Sequence, residues 1–253
     1  NRSDLSDNNI YAIYKDLSDS VWIATLSNLY FFDAKKTSFT EVQGVRSVKC
    51  IDQHSKSGGL WFGTRFNGLI NFKGSETRFF ERADSQNSIS SNHITSLCFE
   101  SDSLLWVGTS DGLNLLNVET RQIISWFEND GLPSNKISAI EIDASGLLWI
   151  STANGLSRFN RDEGIFKNYF VSDGLQGNEF ETYISLKAND GAIYFGGSNG
   201  FNRFYPNEIE DNLDIPEIHF TDFKIANKSV TIDSSDSLLS KHIDKTSRIK
   251  LKY

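Results

Sequence analysis

The chain has 253 residues, with 25 Lys and Arg against 33 Asp and Glu, a formal net charge of -8 and a pI near 5.1. That balance leaves no general basic surface for a phosphate backbone and argues against nucleic acid as a partner, while 38% hydrophobic and 13% aromatic content excludes a disordered chain. No run of apolar residues is long enough for a membrane helix, and Asn1 is neither a start methionine nor the head of a signal peptide, so the chain reads as a portion of something longer.

In chain order, Ile10 to Lys15 alternate apolar and other side chains and Asp16 to Ser20 form a turn. Val21 to Thr25 are apolar again, Leu29 to Phe32 follow a short polar break, and Phe39 to Val42 supply a fourth, shorter run. Alternation at period two, punctuated by turn residues, predicts four antiparallel strands in a meander. The pattern then returns. A second unit covers about Val45 to Arg82 with a turn at His54 to Gly59, and a third begins at Asn92-His93-Ile94 and runs to Trp126. A fourth begins at Asn135-Lys136-Ile137, turns at Ala144-Ser145-Gly146 and ends at Tyr169. The fifth begins at Asn178-Glu179-Phe180, turns at Asn189-Asp190-Gly191 and finishes its third strand at Phe204, with no clear fourth. Each unit centres on an aromatic, at intervals of 39 (22 to 61), 45 (61 to 106), 43 (106 to 149) and 45 (149 to 194). Repeats of this length predict an all-β chain with five propeller blades over residues 1–209.

Recurrence separates scaffold from variable positions. Gly68, Gly112, Gly155 and Gly200 are expected in hairpins with positive φ. Ala24, Gly63, Gly108, Ser151 and Gly196, two residues after each aromatic, suit a crowded strand where blades converge. Asn8, Asn92, Asn135 and Asn178 are expected to hydrogen-bond the turns between blades. Cys50 and Cys98 read as small buried thiols rather than a disulfide, and Trp126, equivalent to Tyr169, reads as blade-edge packing.

The pattern Asn135-x-Ile137-x-x-Ile140, followed by Gly146-x-Leu148-Trp149-Ile150-Ser151-Thr152-x-x-Gly155-Leu156-x-x-Phe159, resembles the two-component regulator propeller repeat of bacterial extracytoplasmic sensors. All five units match it over roughly residues 6–209. Residues Ile215-Pro216-Glu217-Ile218-His219-Phe220-Thr221-Asp222-Phe223-Lys224-Ile225 resemble the opening of the triple-tyrosine β-sandwich that follows such propellers. The resemblance implies that residues 210–253 are the first strands of an incomplete β-sandwich. It also implies a periplasmic, non-catalytic sensor region, a histidine kinase or other output elsewhere in the parent, membrane attachment only through other parts of that parent, and a homodimeric receptor. The family commonly forms seven-bladed propellers, whereas five units stand here. An open ring would expose strand edges, so closure as five blades or pairing with another chain is expected.

Motifs for chemistry are sparse. His54, His93, His219 and His242 are scattered without metal-ligand spacing, so no metal site is expected. Gly196-Gly197-Ser198-Asn199-Gly200 is a hairpin rather than a phosphate loop, Asp233 to Asp236 lacks a calcium loop's glycine and closing acid, and no nucleophile-elbow serine exists. No cofactor is implied. The informative positions are loops that share one face, since the turn between strands two and three and the entry to each first strand emerge together. There the copies differ: Leu26, Arg65, Ser110, Ala153 and Ser198 occupy one site, and Asn9, His93, Lys136 and Glu179 another. Variation on a repeated scaffold is where specificity is built. Arg65, Phe66, Asn67, Asp111, Asn154 and Asn199 offer a fork-like donor, an aromatic face and amides for a polar ligand such as an oligosaccharide, with His93, Lys136 and Glu179 beside them. Two alternatives stand: a protein-interaction or dimerisation propeller without a small ligand, and a propeller glycoside hydrolase or lyase, the hydrolase using acids such as Asp111, Glu179 or Asp190.

Overall fold

Strands whose middle residues are apolar on both faces must be covered on both faces, and β6 (Leu60–Thr64) is buried at every position. The computed structural model meets this demand by stacking sheets face to face. It describes residues 5, 7, 9–33, 38–56, 58–73, 76–83, 87–210, 219–230, 232, 239, 241–246 and 248–249. The chain divides into Asn1–Ile209 and Glu210–Tyr253, each taken by itself.

In the first unit β1 (Ile10–Lys15), β2 (Val21–Thr25), β3 (Leu29–Asp33) and β4 (Ser38–Glu41) form a four-stranded antiparallel meander in chain order. The second sheet has β5 (Val48–Gln53), β6, β7 (Leu69–Lys73) and β8 (Glu76–Phe80), and the third has β9 (Ile94–Phe99), β10 (Leu104–Thr109), β11 (Gly112–Asn117) and β12 (Ile123–Trp126). The fourth runs β13 (Ile137–Ile142), β14 (Leu148–Thr152), β15 (Gly155–Asn160) and β16 (Ile165–Tyr169). The fifth has three strands, β17 (Phe180–Lys187), β18 (Ile193–Gly197) and β19 (Gly200–Phe204). The first strands are innermost, β1 packing on β5, β5 on β9, β9 on β13 and β13 on β17. This is a propeller of five blades.

The recurrent aromatic is the wedge between blades. Trp22 meets Phe62 and Phe72 of the second blade at 5.7 and 5.9 Å, Trp61 meets Phe99 of the third at 6.3 Å, Trp106 meets Phe159 of the fourth at 6.0 Å, and Trp149 meets Phe204 of the fifth at 4.6 Å. Trp126 sits 5.3 Å from Trp106 and 5.4 Å from Phe159, so the expected edge packing also closes a seam. Four apolar clusters fill the four seams between consecutive blades. Burying each large side chain there contributes about 3 kcal/mol.

Small residues after the aromatic answer to the same convergence. A Cβ on Gly63 would lie 2.6 Å from Ile94 Cγ2 of the next blade, and one on Gly108 would lie 2.7 Å from Ile137 Cγ2. Gly63→Val is therefore expected to destabilise by about 1–3 kcal/mol through overpacking, which urea denaturation followed by circular dichroism would measure. The asparagines act as predicted: Gly68, Gly112 and Gly155 donate backbone N–H to the carbonyls of Asn92, Asn135 and Asn178. Their side-chain oxygens accept from the N–H groups of Arg82, Glu128 and Val171. Asn8 lies outside the described residues. Cys50 and Cys98 are free thiols, and burial pushes Cys98 up to about 12.

Closure of the ring by the fifth blade on the first does not occur among the described residues, where β17 has no packing on β1 comparable to the other four pairs. The reason is visible on both sides of the gap. Ile10 and Ile13 of β1 are 48% and 67% exposed, and Ile184 and Leu186 of β17 are 51% and 58% exposed, whereas Ile140 of β13 is 2% exposed. Leu186→Lys is accordingly expected to change stability by no more than about 0.5 kcal/mol; the same denaturation assay showing a larger loss would mean that this seam is closed.

In Glu210–Tyr253 the described residues include a hairpin, β20 (Lys224–Ile225) with β21 (Lys228–Ser229), turning through Ala226 and Asn227 at φ 47 and 63, and a 3-10 turn at Ile243–Lys245. Residues 211–218, which include the first four residues of the sandwich-like stretch, lie outside the described residues.

Candidate ligand site at the channel mouth

The innermost strands begin on one rim, and a repeated backbone bond fixes that rim. Leu26, Arg65, Ser110 and Ala153 donate N–H groups to the carbonyls of Asn9, Ser47, His93 and Lys136. In the first, third and fourth blades the two variable sets read from the repeats are thus side by side, and in the second Arg65 pairs with Ser47. Below the rim the first strands of all five blades line a cavity of about 520 Å³.

One strand departs from the pattern. In β17 the register passes from Phe180 opposite Gly197 to Ser185 opposite Phe195, so the segment between bulges out of the ladder. Within it Tyr183 takes φ 70, a left-handed conformation that disfavours a bulky side chain. Its hydroxyl lies 2.8 Å from His93 Nε2 of the third blade, a bond spanning the mouth. Strain held by a cross-blade contact is the kind of feature that marks a functional site. Burial raises the Tyr183 phenol, keeping it neutral. Burial first, then the charges of Arg65, Lys49 and Lys136, lower the His93 imidazole below its usual range.

Lys49 stands beside this pair. It is 3% exposed, its ammonium lies over the Tyr11 ring, and its Nζ has no hydrogen-bond partner. Burial and then Arg65 lower it to about 8, against the attraction of Asp7. An ammonium desolvated without a hydrogen-bonding partner is costly, and the aromatic face offsets only part of that cost.

Of the residues expected at the site, the structure gathers Arg65, His93 and Lys136 into one positively charged quarter, with Phe66 exposed and 5.2 Å from the Arg65 guanidinium. Asn67 and Glu179 are exposed on the same rim. Asp111, Asn154 and Asn199 are engaged with the loops between blades: Asp111 accepts from Asn135 Nδ2 at 3.4 Å, Asn154 donates to Pro133 O at 3.3 Å, and Asn199 donates to Gln176 O at 3.4 Å. Sequence reading missed Lys49, Tyr11 and Tyr183. The bulge had left a trace, since sixteen residues separate Asn178 from Tyr194 where fourteen separate Asn135 from Trp149 and Asn92 from Trp106.

The acids nominated for hydrolysis are not brought together. Asp190 lies in the turn after β17, at the opposite end of that strand from Glu179, and pairs with Arg203 at 3.6 Å and Tyr205 Oη at 3.0 Å. Deeper in the channel Asp52, pushed up to about 6 by burial, accepts the N–H groups of Gln53 and Phe99 at 2.8 and 3.1 Å. Burial also raises Glu141, which feels Asp52. Among the described residues no three His, Cys, Asp or Glu side chains gather as a metal ion would require.

The two component regulator propeller family model matches residues 88–111 and 131–154. The chain is 24% identical over 98% of its length to Histidine kinase P4 of Formosa agariphila, and spans 16% of that protein. The extracellular domain described as that of hybrid two component system BT3049 from B. thetaiotaomicron superposes with a TM-score of 0.68 at 22% identity, over 80% of this chain and 29% of the other. That of BT4673 from the same organism gives 0.65 at 19% identity, over 81% and 27%. At these identities the structures establish the propeller fold, and the propeller resembles extracellular sensor domains of hybrid two-component systems. No helix of the described residues is long and apolar enough to cross a membrane.

Proposed function

We propose that this chain is a non-catalytic, periplasmic sensor portion of a bacterial two-component receptor, in which the propeller rim takes a polar ligand such as an oligosaccharide. The observation that carries this reading is the rim itself. Repeated blades place variable side chains in register around one channel, and at one point a strained bulge sets Tyr183 against His93 beside an unpartnered Lys49. Residues 210–253 then open a triple-tyrosine sandwich leading towards the membrane, and the intact receptor is a homodimer with a histidine kinase or other output. A ligand acts only if it binds two receptor arrangements with different affinity, the propeller moving as a rigid body. Calorimetry with a glycan panel on the complete extracytoplasmic region should give saturable binding to at least one member, and uniform absence of binding would reject direct sensing.

The open seam favours a second reading, a propeller that contacts a protein through Ile13, Ile184 and Leu186. Sedimentation would separate the two, because a contact made by those residues loses mass on Leu186→Lys and a ligand site does not.

A further inference from the structure

The rim is acidic protein turned locally basic. Arg65, His93 and Lys136 follow one another around it, and Lys49 sits just inside. Neither Arg65 nor Lys136 has an ion-pair partner among the described residues, and the carboxylate acting on Lys49 is Asp7. Lys49 is the decisive residue. A lysine stem reaches water from most strand positions, yet here the head group stays at 3% exposure with no acceptor on its Nζ, pointing over Tyr11 towards the cavity. A protein retains a desolvated, unpaired ammonium at a cavity when something outside the chain completes it. The groups around it at the mouth are donors, a guanidinium fork, a second lysine, and an imidazole and phenol joined to each other, while the carboxyls of Asp52 and Glu141 line the same cavity deeper in. The exposed ring of Phe66 and the half-open ring of Tyr11 add flat apolar faces of the sort sugar rings stack on, and the cavity far exceeds a bare oxyanion in size.

We infer that the mouth bounded by Lys49, Arg65, His93 and Tyr183 is an oxyanion-binding subsite for an acidic saccharide, one bearing a carboxylate or sulfate ester on the sugar. This rests on the sensor reading and names its ligand class. The oxyanion sits between Lys49 and Arg65, Tyr11 and Phe66 flank the sugar, and Asp7 is the internal competitor that the ligand must outweigh.

Three probes are titrated into the chain by calorimetry: trigalacturonate, a neutral galactose trimer of the same length, and sodium sulfate. Trigalacturonate should bind, weakening with added salt, and the neutral trimer and free sulfate should bind at least about tenfold more weakly. Arg65→Gln, an exposed substitution that leaves packing untouched, should weaken the acidic trimer by about tenfold, and Lys49→Met, which keeps the buried stem, by about tenfold or more. Asp7→Asn should tighten it, an effect that a merely structural role would not produce. Binding should also strengthen as pH falls through the depressed range of His93, which acquires charge beside Tyr183, Arg65, Lys49 and Lys136, while Asp52, raised to about 6, and Glu141 lose charge in the same cavity; it should fade as pH rises through about 8, where Lys49 discharges beside Arg65 and Asp7. Equal binding of the neutral trimer, unaffected by these substitutions, would overturn the oxyanion subsite and leave the sensor reading intact. Sulfate binding as tightly as trigalacturonate would overturn the saccharide. Absence of binding by all three would overturn the subsite, and the glycan panel would then decide the sensor reading separately.

Discussion

Trp106→Ala is expected to lower the unfolding free energy by about 3–5 kcal/mol, at the upper end for a large core residue. Its ring is 1% exposed and lies between Trp126 of its own blade and Phe159 of the next, so truncation opens a cavity shared by two sheets. Its indole N–H also leaves Glu100, to which it donates at 2.8 Å. The relevant comparison is Tyr194→Ala in the last blade, where among the described residues the equivalent ring meets Phe201 and Arg203 of its own sheet. That change is expected to cost at least about 2 kcal/mol less, because no following blade collapses with it. Urea unfolding followed by circular dichroism gives both values; equal losses would mean that the aromatic serves its own sheet and is no wedge.

Asp143→Ala is the second large effect, with an expected loss of about 3 kcal/mol. The carboxylate is 7% exposed and accepts four hydrogen bonds: from Ser145 N at 2.8 Å, Ser145 Oγ at 2.7 Å, Leu147 N at 3.0 Å and the buried Trp149 indole at 2.9 Å. Alanine orphans the turn amides and a buried indole N–H together, each costing about 1–3 kcal/mol if left unpaired, with water recovering the exposed ones. Asp143→Asn keeps an acceptor and should lose less than half as much. The same assay reports the difference, and equal losses for Ala and Asn would show that charge rather than acceptor geometry holds the turn. Asp16 repeats the device in the first blade, accepting from Ser18 N, Ser20 N and the Trp22 indole at 2.8, 2.9 and 2.8 Å.

Blade number, strand order and the wedge aromatics were legible because each blade solves the same packing problem, so one chain carries its own comparison. Positive φ at Gly112 and Gly155, 119 and 106, and the crowding at Gly63 follow from the same repetition. The Asp-to-Trp bonds escaped notice because the second blade has His54 and the fifth Ala188 near that position, which breaks the recurrence. Of the two expected ways to protect the strand edges, closure as five blades or pairing with another chain, closure is not seen among the described residues, because edge avoidance is a rule about whole sheets. It does not say which apolar residues, such as Ile13 and Leu186, meet which neighbour. At the rim, Arg65, His93 and Lys136 were singled out because they vary between copies. Lys49 was passed over because a charged residue in an alternating strand reads as solvent-facing, and only the packing of five strands around one channel buries it. Tyr183 belongs to a register shift, whose trace in the spacing gives its presence but not its direction.

The most direct test is hydrogen exchange of the chain with and without saturating trigalacturonate. Slowed exchange is expected at the rim alone: the start of β5, the start of β9, and the bulge around Tyr183, with the opposite end of the strands unchanged. Protection at that opposite end, around Asp190 and the Asp143 turn, or no change anywhere under conditions where calorimetry registers binding, would contradict it.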